Sequence, residues 1–277
     1  MHAPRLINID QNNIADFDKE EVFFDPATKS RISYWTDGTD VYWRTTKLKA
    51  NPECFRVFNK LFARDNKHCF MQNKRLKNAD VNSFEALNYC FAKDRHFVWC
   101  LGGKFEPYDI ETFEVCDDGL NKNLMHQTFY FSNGNSIDGT IQISSGYAKD
   151  KHQVYCYDHT GKVKILKEAD PETFVSFNDG KFAKDSLHVY YYFNEIKKAD
   201  PKTWKLLDLK EGYSCDAKHA FKFKTCLENT DIATLSIYEF IDKEGCTTKF
   251  LKDKNGLFDL DGTRTTEDKL KKDYSLK

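Results

Sequence analysis

Five histidines, His68, His96, His152, His188 and His219, each follow an aspartate by two or three residues: Asp65, Asp94, Asp150, Asp185 and Asp216. An imidazole beside a carboxylate can ligate zinc or act as a pH-sensitive pair. A row of aspartates on repeated loops is also how some β-solenoids bind Ca²⁺. Neither chemistry suits this spacing. The pairs occur one per repeat, so strand spacings of ~4.7 Å or more keep their side chains from converging on one ion. A Ca²⁺ site needs several converging oxygens, whereas each loop carries a single Asp beside a Lys and little glycine. A hairpin turn explains the pattern better: Asp makes an Asx-type bond there, and His is among the residues that tolerate left-handed backbone. The sequence therefore predicts no bound metal and no cofactor.

Covalent chemistry fares no better. The nine cysteines are Cys54, Cys69, Cys90, Cys100, Cys116, Cys156, Cys215, Cys226 and Cys246; their number is odd and no C-x-x-C occurs. Several fall inside apolar strand patterns, which predicts buried free thiols in a reducing cytoplasm. No P-loop, G-x-G-x-x-G, H-E-x-x-H or G-x-S-x-G motif is present, and Gly102-Gly103 fits a hairpin turn. The expectation is a protein that is not an enzyme.

What must position these residues is a repeat. Between Gly146 and Leu207 one pattern runs twice: Lys149-Asp150 to Val154-Tyr155 and then Ala169-Asp170-Pro171-Glu172-Thr173-Phe174, followed by Lys184-Asp185 to Val189-Tyr190 and Ala199-Asp200-Pro201-Lys202-Thr203-Trp204. Aligning on the Asp and the aromatic five positions on gives Asp37/Tyr42, Asp65/Phe70, Asp94/Trp99, Asp150/Tyr155, Asp185/Tyr190, Asp216/Phe221 and Asp253/Phe258. The second element recurs at Asn51, Asp80, Asp109, Asp170, Asp200 and Asp231. The first Asp steps by 28 and 29 residues and then by 56, so a degenerate unit is expected at 120–146, around Asn121-Lys122-Asn123 and Phe129-Tyr130-Phe131. About eight units of 28–37 residues result, between a polar lead (1–30) and a charged tail (263–277) that could form a short helix behind Thr265-x-x-Asp268. Val189-Tyr190-Tyr191-Tyr192-Phe193 reads as one strand with both faces apolar, and Phe221-Lys222-Phe223-Lys224 as a strand with one face exposed. The fold class is all-β: tandem β-hairpins in a curved, solenoid-like array over 31–262, with a β-propeller as the alternative.

These residues, Lys-Asp before Val-Tyr and then Ala-Asp-Pro-x-Thr-Phe/Trp, resemble the DKNYY family of bacterial repeat proteins. The resemblance is closest at 147–207, fair at 62–115 and weak at 120–146 and 213–258. Histidine often stands here for the family's turn asparagine, as in Asp185-Ser186-Leu187-His188. The resemblance implies a tandem β-repeat protein of bacterial type and no catalytic residue.

The 277 residues carry 42 basic and 43 acidic side chains, a formal charge of −1 that gives no long-range pull toward nucleic acid. No apolar run approaches the ~18 residues of a membrane span, and Met1 to Glu21 lacks the apolar core of a signal peptide. A rigid repeat surface favours a macromolecular partner. The expected function is a cytoplasmic protein–protein interaction module, most concretely an immunity protein that occludes a toxin. A carbohydrate or cell-envelope binder is the alternative if the aromatic column is exposed, and an enzyme assembled across repeats comes third. Contact should fall where the units differ: the polar hairpin at Asn133 and Asn135, and the turn edge carrying His68, His152, His188 and His219. Asp185→Ala, losing one Asx-type contact, is expected to cost about 1 kcal/mol.

Overall fold

The computed structural model describes residues 39–43, 46–59, 61–122, 143–158, 160–241 and 247–272 in full, together with the side chain of Tyr34. It adds the backbone of Asp273 and of strands Arg5–Leu6, Phe24–Asp25, Ser30–Arg31, Tyr34–Thr36, Met125–Tyr130 and Ser136–Ile141. Among these residues the chain is nearly all β, in seven four-stranded antiparallel sheets and two separate hairpins, with no sheet closed into a barrel. It divides into two compact units, 1–167 with 176–180, and 168–175 with 181–277.

Each repeat is thus a four-stranded meander built around the expected hairpin. In the second sheet the hairpin is Phe62–Arg64 with Cys69–Met71, flanked by Arg56–Val57 and Lys74–Arg75. The third sheet repeats this with Glu85–Ala86, Ala92–Lys93, Val98–Cys100 and Gly103–Phe105. In these two sheets the outer strands of two or three residues are too short to show a periodicity, so the central hairpin is what the sequence makes legible. The first sheet takes an edge strand, Arg5–Leu6, from the polar lead.

The fourth sheet explains the 56-residue step. It runs Glu114–Val115, Gly146–Lys149, Val154–Tyr157, Val163–Leu166, and the hairpin Met125–Tyr130/Ser136–Ile141 is inserted between its first two strands. The 120–146 stretch is therefore an insertion within one sheet, and the four-stranded sheets number seven where eight units were expected.

The second unit holds the fifth to seventh sheets. The fifth follows Val175–Ser176, where the units divide, with Phe182–Lys184, Val189–Tyr191 and Asn194–Glu195. The sixth comprises Lys205–Asp208, Tyr213–Cys215, Ala220–Lys222 and Thr225–Leu227. The seventh comprises Ser236–Ile241, Thr247–Asp253, Gly256–Phe258 and Arg264–Thr265.

Within each unit the core lies between consecutive sheets, because the central hairpins bury side chains on both faces. Ala63 and Phe70 of the second sheet pack with Tyr34 and Val41 of the first, while Phe62, Cys69 and Met71 on the opposite face pack with Ala92 and Trp99 of the third. The sixth and seventh sheets repeat this, with Tyr213 and Ala220 against Leu251 and Phe258. The aromatic column is core from the second sheet on: Phe70, Trp99, Tyr155, Tyr190, Phe221 and Phe258 are all 5% exposed or less, while Tyr42 of the first sheet is half-buried.

Three local expectations need correction. The strand from Val189 ends at Tyr191; Tyr192 turns the chain at φ 52° and leaves Phe193 exposed. Its N–H donates to the Lys181 carbonyl at 2.7 Å, as the Phe223 N–H does to Gly212 and the Gln72 N–H to Leu61. That closing bond holds three non-glycine residues in the left-handed region. Lys222 is buried, its ammonium 4.6 Å from the centre of the Tyr213 ring, so the sixth sheet has no open face there. The C-terminal helix Glu267–Asp273 starts behind Thr266, whose side-chain oxygen accepts the Lys269 N–H, and it packs through Leu270 against Phe240, Phe250 and Leu257.

Candidate functional site

The repeated aspartate is the fixed point of each sheet. In Asp65, Asp94, Asp150, Asp185 and Asp216, Oδ1 accepts the backbone N–H groups two and three positions on, at 2.6–2.8 Å. This is the Asx-type turn expected of the residue. The other oxygen does something that the local sequence does not announce. Oδ2 accepts the backbone N–H that opens the sheet's leading A-D-P turn: Asn51, Asp80, Asp109, Asp170, Asp200 and, for Asp253, Asp231, at 2.7–3.1 Å. One carboxylate thereby ties the central hairpin to the turn that leads the first strand. The column aromatic adds a third bond where it can, with the Tyr155 hydroxyl donating to Asp150 at 2.6 Å and the Tyr190 hydroxyl to Asp185 at 2.9 Å.

The insertion tests this tie. The donor and acceptor lie 14–16 residues apart in the second, third, fifth and sixth sheets but 41 apart in the fourth, and the Asp109–Asp150 bond is still made at 2.9 Å. A second tie runs alongside it. The N–H after the repeat Asp donates to the hydroxyl of the leading turn: Arg95 to Ser83, Lys151 to Thr112, Ser186 to Thr173, Ala217 to Thr203 and Lys254 to Thr234, at 3.0–3.1 Å. The recurring Thr of A-D-P-x-T was the available signal for it.

Burial pushes the Asp65, Asp150, Asp185 and Asp216 carboxyls up, but the hydrogen bonds outweigh it and all four sit below the usual value. Asp253 is held at about 2: burial opposes, and the Arg264 guanidinium, at 2.6 Å from each oxygen, with the backbone donors prevails. Asp117, in the first unit, has the opposite sign. Burial pushes its carboxyl up to about 6 against bonds from the Ser176 hydroxyl and the Tyr147 and Gly119 N–H groups. The depressed groups contribute stability that is complete above the ordinary value of ~4 and is lost as pH falls through their folded values. The raised Asp117 costs folding free energy at neutral pH, and that cost is relieved as pH falls through about 6. The thermal midpoint should therefore rise between pH 7 and about pH 5 and fall below about pH 4. Scanning calorimetry across that range checks it, and a steady decline from pH 7 would contradict the Asp117 assignment.

The histidines serve these turns. His68, His188 and His219 are half-buried, with Nδ1 at 3.5, 3.4 and 3.3 Å from their own repeat aspartates. His96 and His152 stand at the exposed tip, the latter with its ring 4.6 Å from that of Tyr108. None of the five has a positive φ, so left-handed tolerance is not why histidine stands there. Among the described residues, the left-handed non-glycine ones are instead Gln72, Tyr192 and Phe223, Asn78, Lys198 and Asn229 before the leading turns, and Asn178. Each histidine belongs to a different sheet, and among the described residues no three His, Cys, Asp or Glu side chains gather as a metal site. Asn133 and Asn135 lie outside the described residues.

The model of the DKNYY family matches residues 4–103 and 62–262. The chain belongs to the DKNYY family. Those matches take in the first six sheets, the first three strands of the seventh, and the edge strand that the polar lead supplies. Neither the curated proteins nor the solved structures contain a match to this DKNYY chain. Among the described residues, no helix is long and apolar enough to cross a membrane.

Proposed function

We propose that this DKNYY protein is a non-enzymatic protein–protein interaction module of the cytoplasm, most concretely an immunity protein that occludes a toxin. One observation carries the reading. On hairpins of similar backbone, no two sheets carry the same pair of exposed tip residues after the repeat Asp: Asn66-Lys67, Arg95-His96, Lys151-His152, Ser186-Leu187, Ala217-Lys218 and Lys254-Asn255. Residues shared by all repeats are consumed in turns and core, so recognition is left to the tips. The eight described cysteines are free, which suits a reducing compartment. A sugar-stacking surface has little to support it, because the aromatic column that would carry it is buried.

Pull-down from the source cell with the full chain, followed by charge reversal at each tip, tests the module. The expected result is a stoichiometric protein partner whose affinity falls with reversals at two or three adjacent tips. Recovery of glycans alone would overturn the reading. A partner without toxic activity would keep the module and remove the immunity assignment.

A further inference from the structure

The slot between the sixth and seventh sheets holds smaller side chains than the same slot elsewhere in the chain. In the second to sixth sheets the residue that ends the leading turn is a buried aromatic: Phe55, Phe84, Phe113, Phe174 and Trp204. The seventh sheet has the half-buried Leu235 there. The residue before the repeat aspartate is a half-buried cation in the second to fifth sheets, Arg64, Lys93, Lys149 and Lys184, whereas the sixth has the buried Cys215. These two positions meet across consecutive sheets. Lys93 donates to the Phe113 carbonyl at 3.4 Å, and Lys184 to the carbonyl of Pro201, in the turn that ends at Trp204, at 2.9 Å. Cys215 and Leu235 are the corresponding pair, and both fall short.

The missing ring and the missing lysine leave a cleft of about 290 Å³ within the second unit. Its apolar wall is Leu207, Ile232, Leu235 and Ile237, all half-buried, together with Cys215. Lys205 lines the same cleft and is exposed. Burial pushes the Cys215 thiol up while the Lys205 charge pulls it down, which places that ammonium beside the wall. Among the described residues Lys205 has no ion-pair partner. The one acid on the wall, Asp216, is buried and accepts the N–H groups of Asp200, Lys218 and His219. Around the rim the exposed Lys202 and Lys218 outnumber the exposed Asp200, and Asp231 is neutralised by Lys254 at 2.6 Å. The mouth is therefore basic and the wall apolar.

We infer that this cleft binds a small aromatic carboxylate, its ring in the place that Phe113 and Trp204 fill in their own slots and its carboxylate on Lys205. The site goes beyond the interaction-module reading and does not depend on it. The sister slots supply the ring: the same position takes a Phe or a Trp in five sheets of this chain. A cavity of ~150 Å³ lined by such side chains already holds benzene, so this cleft has room for one ring with a short arm. The rim supplies the charge, because an unpaired ammonium at the edge of an apolar cleft orients an anionic ligand through a charge-assisted bond. A divalent ion does not suit the cleft, since its single carboxylate is already bonded and such ions need several oxygens.

Calorimetric titration of the full chain with phenylacetate tests the inference, with phenylacetamide as the probe lacking the charge and butyrate as the probe lacking the ring. Wild type should bind phenylacetate, and the other two about ten-fold more weakly or worse. Leu235→Phe with Cys215→Lys installs the repeat's own side chains. That filled variant, melting no lower than wild type, should bind phenylacetate about ten-fold more weakly or worse. Lys205→Gln, a change at an exposed position, should abolish the preference for phenylacetate over phenylacetamide, and it carries the test if the filled variant does not fold. Phenylacetate should also slow the alkylation of Cys215 by iodoacetamide, read by mass spectrometry. No saturable binding by wild type, or equal binding by wild type and the filled variant, would overturn the site. Equal affinity of wild type for phenylacetate and phenylacetamide would overturn the carboxylate. A protein partner held by wild type and lost in the filled variant, with no binding of phenylacetate, would replace the small ligand with an aromatic side chain of that partner.

Discussion

Tyr190→Ala is expected to lower the free energy of unfolding by about 3–5 kcal/mol, the range for removing a large buried aromatic. The ring is 3% exposed and lies 5.9 Å from that of Phe174. Its hydroxyl donates to Asp185, and burial with that contact pushes the phenol far above its ordinary value. Tyr190→Phe keeps the ring and loses only the hydroxyl, so it should cost about 1 kcal/mol. Urea unfolding of both variants separates packing from hydrogen bonding. If the alanine variant unfolds like wild type, the column does not carry the core.

Asp185→Ala should cost about 3 kcal/mol or more, well above the ~1 kcal/mol of a single lost turn contact. The carboxylate is 4% exposed and accepts from the Leu187, His188 and Asp170 N–H groups and the Tyr190 hydroxyl. Truncation leaves four donors without this acceptor, and an unmade buried bond costs more than a made one contributes. A double-mutant cycle with Tyr190→Phe should show a coupling of about 1 kcal/mol, because the two groups share a bond. A loss near 1 kcal/mol for Asp185→Ala would mean that the tie to Asp170 contributes nothing, and the carboxylate would then cap only its own turn.

Asp185 and Asp170 show where sequence reading stops. That Asp185 turns the chain and Tyr190 lies on a strand follows from the residues alone, because Asx and strand preferences are local; that the ring is core and not a ligand surface was decided by its 3% exposure in the fold. The family resemblance and the all-β class rest on the same local grammar. The 15-residue reach from Asp185 to the Asp170 N–H is not local. Nor is the 41-residue reach from Asp150 to Asp109 across the inserted hairpin, which the repeat spacing turned into an eighth unit.

Of the candidate site, the sequence marked the turn edge and its histidines but not their roles. His68, His188 and His219 sit against their own aspartates and His152 stands at an exposed tip, a difference of one position along a turn. The ion pairs of Asp80 with Arg95 and of Asp109 with Lys151 were invisible for the same reason. Each joins a leading turn to a hairpin tip that only strand pairing brings over it. The sequence by itself determined the turns and the central hairpins, because backbone preferences act within a few residues. Tertiary structure alone decided which turn meets which tip, since strand pairing brings together residues that no local pattern links.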